Sequence, residues 1–289
     1  MKKLFTLALS LFALVSCQMA EIDSETSEKM EVNLSLGVTT KVSDNTFDSG
    51  DKVGIYMVNQ PSSLLSSGNH YDNIQHSYDG SNWTPSEQMY WLDKTTEAVF
   101  YGYYPYSEVS DVNEHSFTVA ADQSELSSLK SSDFVWGKSA STAPSKNPVA
   151  LQTSHIMSSI KIYVEPGDGF KPETFADLDV KVNLRNVKNS AKVNLEDGSV
   201  TAVGSSVQMT PYKDNGYYRA IIVPQTVADE SELVVITVNG TEYALKKGFT
   251  FASGTRHKFT VKVNKTGSGV NIGIGGWEED DEDNGGNAE

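Results

Sequence analysis

Short segments in which apolar and polar residues alternate recur along most of this chain, and they constrain its fold more than any other feature. In the first of them, Val32, Leu34, Leu36 and Val38 are separated by polar or small residues. This period of two places the four side chains on one face and is typical of a half-buried β-strand. Comparable strand-like segments follow at residues 53–57, 98–104, 117–119, 134–136, 159–164, 177–184, 191–195, 217–223, 232–238, 241–247 and 257–263. The sequence therefore predicts an all-β protein.

Turn signals between these segments favour antiparallel pairing. Asn239-Gly240 separates two strand-like segments and suits a two-residue type I′ hairpin, in which both central residues take positive φ. Asp79-Gly80 and Asp197-Gly198 carry the same signal after other segments. Only residues 123–130 have a helical pattern, which is two turns long at most. This arrangement predicts antiparallel β-sandwiches rather than alternating strand-helix units.

The length of 289 residues is sufficient for two β-domains. Residues 139–148 (SASTAPSKNP) are rich in Ser, Ala and Pro and separate an aromatic-rich half from a Val-rich half. We therefore predict an N-terminal sandwich over residues 42–145 and a C-terminal sandwich over residues 146–277. Residues 278–289 begin with six consecutive acids (EEDDED) and are predicted to form an acidic, flexible tail.

The N-terminus has the pattern of an export signal. Lys2 and Lys3 precede about a dozen mostly apolar residues, fewer than the ~20 that a membrane-spanning helix needs, so residues 1–16 are predicted to be a signal peptide. The run ends LVSC at Cys17, the only cysteine, and this ending resembles the bacterial lipobox, in which the cysteine is acylated. The alternative is an ordinary signal peptide followed by an incidental cysteine. The residue after the cysteine is Gln18 rather than Asp, which resembles the sorting signal of lipoproteins that are sent to the outer membrane.

Several classes of function find no support in the composition or the motifs. The formal net charge of -15 argues against nucleic acid as a partner, because phosphates favour Lys and Arg. No two of the five histidines have the i, i+4 spacing of a helical zinc site, and one cysteine excludes a cysteine-based one. His155 lies in a strand-like segment and is predicted to be structural. With no nucleophile elbow in the sequence, we predict neither an enzyme nor a cofactor. The least favoured alternative is a secreted hydrolase whose catalytic carboxylates are far apart in the sequence.

Two further patterns have a functional and a simpler interpretation. Part of the tail matches early positions of a calcium loop (Asp280, Glu282, Asn284 and Gly285), but the closing Glu falls beyond the last residue, which favours a solvated tail. A group of aromatic residues suggests a sugar-stacking surface, although core and edge positions are the commoner explanation for such a pattern. The group consists of Trp83, Trp91, Tyr101, Tyr103, Tyr104 and Tyr106.

Six segments in order resemble the fimbrillins of Bacteroidales, the lipoprotein pilins of type V pili. They are FDSGDKVGIYMVN (47–59), TEAVFYGYYPY (96–106), SDFVWGKS (132–139), VALQTSHIMSSIKIYV (149–164), GYYRAIIVPQTV (216–227) and ASGTRHKFTVKVNKTG (252–267), followed by VNIGIGGWEE (270–279). The resemblance implies two transthyretin-like antiparallel β-sandwich domains in tandem. It also implies an outer-membrane lipoprotein precursor whose lipidated N-terminal piece is removed by a protease at the cell surface. The vacated groove then accepts a strand from the next subunit, by β-strand addition.

These roles can be placed on residues of this chain. Residues 17–41 would be the lipidated segment with the first strand, whose inward side chains are Val32, Leu34, Leu36 and Val38. The donor strand would contain Val270, Ile272 and Ile274, which have the required period. The alternative is that each of the two strands completes its own domain. The partners are then other pilin subunits, the outer membrane through the lipid, and a host or bacterial surface glycan or protein.

The sequence departs from the family at the processing site. Fimbrillins are typically cut after arginine, whereas this chain has Lys41 at the equivalent position, so that Val42 would become the first residue. An uncut subunit would keep its lipid and first strand and would suit a basal anchor. The alternative function is a surface lipoprotein that binds glycans without polymerising.

Overall fold

β-Strands form most of the structure, which confirms the predicted all-β class. The computed structural model describes residues 29–38, 47–265 and, for the backbone alone, 286–288. Within these ranges the strands are β1 (Leu34–Val38), β2 (Lys52–Asn59), β3 (Tyr71–Tyr78), β4 (Trp83–Pro85), β5 (Ala98–Tyr104), β6 (His115–Thr118), β7 (Val135–Lys138), β8 (Val149–His155), β9 (Ser158–Pro166), β10 (Val180–Val193), β11 (Val200–Met209), β12 (Tyr212–Asp214), β13 (Tyr217–Ile222), β14 (Gln225–Val227), β15 (Glu232–Val238), β16 (Thr241–Lys246), β17 (Phe249–Phe251), β18 (Arg256–Val263) and β19 (Gly286–Ala288). The two helices described are α1 (Leu126–Ser131) and α2 (Pro172–Phe175).

The first half of the chain builds a seven-stranded sheet in the order β1-β8-β7-β5-β2-β3-β4. Its central strands are buried on both faces. Along β2, Val53, Ile55 and Met57 enter one core, whereas Tyr56 and Val58 enter another. Because alternate side chains of a strand point to opposite faces, this sheet lies between two apolar layers.

The second half forms two five-stranded sheets and one two-stranded sheet. One sheet has the order β11-β10-β15-β16, with β6 also paired to β10, and another has the order β12-β13-β9-β18-β19. The strands β14 and β17 form the small sheet. The larger core is shared with the seven-stranded sheet, since it contains Tyr56 and Phe134 together with Ile160 and Phe259.

Strands from the two halves of the sequence cross between sheets. β8 follows residue 145 but lies in the seven-stranded sheet, where it pairs with β7 and β1. β6 precedes residue 145 but pairs with β10, through Ser190↔Thr118 to Val193↔His115. The division into tandem domains at 145/146 stays a prediction. One strand from each side of this boundary lies in a sheet that is formed mainly by the other side.

The local signals were reliable where they were strong. Asn239 and Gly240 take φ values of 47° and 87° between β15 and β16, which confirms the predicted hairpin turn. The segments at 177–184 and 191–195 were wrong as separate strands, because they form one strand, β10, whose pairing with β11 shifts register between Leu184 and Val187. Asn186 has a φ of 61° at this irregularity. A β-bulge thus keeps the strand continuous while interrupting its apolar period.

Candidate functional site

The predicted first strand, β1, forms one edge of the seven-stranded sheet. It pairs in parallel with β8, in a register that runs from Leu34↔Val149 to Val38↔Thr153. The Asn33 carbonyl accepts a hydrogen bond from the Val149 N–H at 2.8 Å. Among the described residues, β1 is the strand that pairs with the outer edge of β8.

The apolar side chains of this first segment face the smaller core. Val32 is 7% exposed, and Leu34 and Leu36 pack half-buried against the cluster that contains Val149 and Leu151. For Val38 the structure describes the backbone alone. The Val32 N–H also donates to the Met89 carbonyl at 2.9 Å. The segment therefore fills a groove with side chains as well as with main-chain hydrogen bonds.

The remaining predicted assembly residues lie outside the described residues. They are Cys17, Lys41 and Val42, and the predicted donor residues Val270, Ile272 and Ile274. The acidic residues of the suggested calcium loop also lie outside. In sequence, Lys41 falls between β1 and β2.

The structure divides the predicted aromatic surface. Trp91 is 3% exposed and packs edge-to-face on Phe100 with ring centroids 5.6 Å apart, which is a core position and excludes it from the alternative sugar-stacking surface. Tyr101 and Tyr103 are also buried, because β5 lies inside the sheet with both faces covered. Trp83 stays partly exposed on the edge strand β4.

A cleft that the sequence did not predict lies where the seven-stranded sheet meets the sheet of β9, β13 and β18. Its volume is about 250 Å³. We call it the charged cleft, and it is lined by Phe47, Asp48, Asp51, Tyr104, Leu129, Lys130, Asp133, Val135, His155, Ser159, Arg219, Ile221 and Arg256. These residues come from the loop before β2, from α1 and the loop after it, and from six strands, so no local spacing could have grouped them.

Charged pairs give the cleft a deep part and a rim. At depth, His155 Nδ1 lies 2.5 Å from Asp133 Oδ2, and the Arg219 side chain is 18% exposed with its Nε 3.3 Å from Asp214 Oδ2. At the rim, Lys130 pairs with Asp48, and both side chains are more than half exposed. The rim pair is exposed to water and therefore contributes little to stability. The side chains of the deep pairs are mostly buried.

Hydrogen bonding and burial also fix the acidic wall of the cleft. The Asp48 N–H donates to Asp51 Oδ2 at 2.7 Å. Burial, followed by the charge of Asp51 and a hydrogen bond to it, raises the pKa of the Tyr104 phenol, so this hydroxyl remains protonated at neutral pH. The Tyr104 O–H is thus used by Asp51, and the wall presents the phenol oxygen and the carboxylates as acceptors.

Metal-binding clusters and membrane-spanning helices are absent from the described ranges. No group of three or more His, Asp or Glu side chains within residues 29–38 and 47–265 is arranged to hold a metal ion. The helices of the same ranges are too short to cross a bilayer.

Comparison with known proteins identifies the family. The model of the fimbrillin-like family matches residues 40–277. The sequence is 23% identical over 263 residues to the "Putative fimbrium subunit Fim1C" of Bacteroides uniformis, a match that covers 86% of this chain and 84% of that protein.

The fold recurs in solved structures. A "putative cell adhesion protein" of Bacteroides uniformis has a TM-score of 0.65 and 18% identity, over 91% of this chain and 98% of its own. A protein of the same description from Bacteroides ovatus has a TM-score of 0.67 and 17% identity, over 89% and 97% of the two chains. A fimbrial protein from Bacteroides ovatus has a TM-score of 0.53 and 20% identity, over 80% and 48%. At these identities the likeness establishes the fold, and together with the family match it leads to one conclusion: this chain belongs to the fimbrillin-like family.

Proposed function

We propose that this protein is a structural subunit or adhesin of a cell-surface fimbrium, made as an outer-membrane lipoprotein precursor and assembled by strand exchange. Membership of the fimbrillin-like family supports the fimbrial role. The lipobox-like sequence that ends at Cys17 supports the lipoprotein precursor. No catalytic role is included in the proposal.

The placement of β1 is the observation that carries the exchange mechanism. It is an edge strand, it is the first described strand of the chain, and it contributes apolar side chains to a core. A cut after Lys41 would detach it, because every residue of β1 precedes that position. The remaining protein would then have an unpaired β8 edge beside an apolar groove, which is the template that β-strand addition requires.

The energy of the exchange favours refilling the groove. Fully burying a Val or Leu side chain is worth about 1.5–3 kcal/mol, and Val32, Leu34 and Leu36 are buried wholly or in part. Their loss would remove a large share of a stability that is typically about 5–15 kcal/mol for a folded domain. A donor strand with the same period would restore both the apolar contacts and the main-chain hydrogen bonds.

The segment around Val270, Ile272 and Ile274 has that period and is our proposed donor. A cysteine at Ala150, an exposed β8 residue opposite Ser35, would lie beside the incoming strand. Two double variants are compared in cells, Ala150→Cys with Ile272→Cys and Ala150→Cys with Asn271→Cys. We expect at least one of them to form disulfide-linked oligomers. The control is Ser206→Cys, on the exposed edge strand β11, in place of Ala150→Cys.

Two results would contradict the exchange. One is an absence of intermolecular disulfides through position 150 in either pair, and the other is equal linkage through position 206. Filaments seen by electron microscopy that disappear when the gene is deleted would support the fimbrial role independently of the linkage.

The mature N-terminus separates a polymerising subunit from an anchor. Mass spectrometry of the protein from its native host should find Val42 as the first residue of assembled subunits. A lipidated Cys17 on all molecules would mean that β1 is retained, which favours a basal anchor or a non-polymerising surface lipoprotein and contradicts processing after Lys41.

A further inference from the structure

The charged cleft is not needed for the proposed strand exchange. None of its lining residues belongs to β1 or to the β8 residues that pair with β1. The cleft lies instead at the far end of β8, where His155 and Asp133 meet Arg219 and Arg256. A cavity bounded by strands of two sheets has walls that are fixed before any ligand arrives, as binding pockets usually are.

We propose that the charged cleft binds one saccharide unit without net charge. The proposal does not rest on strand exchange or on lipidation, and it adds a ligand to the adhesin side of the proposed function. Its evidence is the combination of balanced charge, paired donors and acceptors, an aromatic wall and small volume.

The charges that line the cleft balance. Among the lining residues, three carboxylates (Asp48, Asp51 and Asp133) accompany three cations (Lys130, Arg219 and Arg256), with His155 paired to Asp133. A fourth carboxylate, Asp214, is not part of the lining but pairs with Arg219. A phosphate or carboxylate ligand would meet the acids at short range, and a cation would meet the guanidinium groups. A neutral polyol meets neither penalty, because a hydroxyl group can donate to a carboxylate or accept from a guanidinium.

An aromatic wall stands beside these polar groups. Phe47 and Tyr104 both line the cleft, with ring centroids 5.8 Å apart and ring planes at 69°. Trp83 is not among the lining residues but packs on Phe47, with ring centroids 4.9 Å apart in an edge-to-face arrangement. The apolar C–H face of a sugar ring packs on such a surface while the hydroxyl groups at its edge reach the charged side chains.

The volume limits the ligand to a small unit. About 250 Å³ is below the lower bound of roughly 300 Å³ for pockets that hold drug-sized molecules. One monosaccharide, or the terminal unit of a longer glycan that continues past the exposed rim at Asp48 and Lys130, is the ligand size that remains.

The test is saturation-transfer-difference NMR with the purified full-length chain in detergent. The probes are glucose, galactose, mannose, fucose, N-acetylglucosamine and N-acetylgalactosamine, with N-acetylneuraminic acid and inorganic phosphate as anionic probes. We expect saturation transfer to at least one neutral sugar. Arg256→Gln and Asp51→Asn should each weaken its binding roughly 10- to 150-fold, because a hydrogen bond to a charged group is worth about 1.5–3 kcal/mol.

The chain offers a matched control, because it has three arginines and the third lies elsewhere. Arg185 is on β10 and pairs with Glu232 and Glu242, so Arg185→Gln should leave sugar binding unchanged. Tyr104→Phe keeps the ring and removes only the hydroxyl, which gives a second variant if a charge substitution disturbs folding.

Three outcomes would overturn the proposal: no signal from any neutral sugar, binding of the anionic probes alone, or equal weakening by Arg185→Gln and Arg256→Gln. Because binding is measured on isolated molecules, its failure would leave the fimbrial role and the strand exchange untouched. Conversely, a protein that forms no filaments could still bind the sugar.

Discussion

The two outermost strands of the seven-stranded sheet end it in different ways. β4 is three residues long, ends at Pro85 and pairs with β3, and Trp83 on it packs against neighbouring aromatic rings. β1 is five residues long, contains no proline and faces a core with its apolar side chains. Short strands and proline are the usual means of closing a sheet edge, because proline lacks the N–H that a further strand would need.

The difference agrees with the proposed exchange, in which β4 closes one edge of the sheet and β1 is the strand that is replaced. Loss of β4 would uncover mainly aromatic rings that already contact one another. Loss of β1 would uncover a main-chain edge together with Val149 and Leu151, which are buried beside it. A subunit that polymerises by strand addition needs this asymmetry, because two open edges would allow unlimited lateral pairing.

The largest expected effect is loss of the apolar face of β1. Val32→Ala, Leu34→Ala and Leu36→Ala combined should lower the free energy of unfolding by about 3–5 kcal/mol, since one fully buried and two half-buried side chains are truncated. Urea denaturation of the unprocessed chain measures it. Ser35→Ala, on the exposed face of the same strand, is the control and should change stability by less than about 0.5 kcal/mol. Equal effects of the two would remove the basis of the comparison.

The floor of the groove gives the next effect. Leu151 is fully buried on β8 directly opposite Leu36, and Leu151→Ala should cost about 2–5 kcal/mol by leaving a cavity. Thermal unfolding of the variant checks this value. If the loss falls below about 1 kcal/mol, the groove under β1 is not a packed core.

The closed edge should be less sensitive. Trp83→Ala removes ring contacts with Phe47 and Tyr78, both at centroid distances of 4.9 Å, and is expected to cost about 1–3 kcal/mol. The same denaturation experiment applies. A loss as large as that of the combined β1 variant would mean that β4 is no less important to the core than β1.

The smallest effect is a dependence of stability on pH, which arises at two buried histidines, one beside β4 and one on β6. Burial lowers the pKa of His76, which lies on β3 between β2 and β4. Burial and the charge of Lys192 likewise lower the pKa of His115. The unfolded chain therefore binds these protons first, so the stabilisation is complete above a pH of about 6.5 and declines as the pH falls below it.

Denaturation at a series of pH values from about 7.5 to 5.5 should show this decline. His76→Gln and His115→Gln should each flatten the curve, whatever they do to stability at neutral pH. An unchanged slope in both variants would contradict burial of the neutral imidazoles.

Much of the fold was predictable because its strongest signals are local. The segment at 98–104 is β5 and that at 232–238 is β15, with the same bounds. The strand β11 was missed, since Gly204, Ser205 and Ser206 interrupt any apolar period and are exposed at an edge. Exposed edge strands carry little pattern, because only one or neither of their faces must be apolar.

The candidate sites were predictable to different degrees for the same reason. The apolar face of β1 and the residues before it follows from four alternating residues between 32 and 38, which the sequence displays directly. The burial of Trp91 and the grouping of Asp133, Arg219 and Arg256 depend on strands distant in sequence, so no spacing could indicate them.

By itself the sequence determined the strand-rich class, the type I′ turn at Asn239-Gly240 and the resemblance to fimbrillins, because periodicity and turn chemistry act over a few neighbouring residues. The tertiary structure alone decided which strands are neighbours. It placed β8 beside β1, moved β6 into the sheet of β10, and opened the charged cleft where two sheets meet. Strand order depends on contacts between residues far apart in the chain, and alternation within one strand carries no information about its partner.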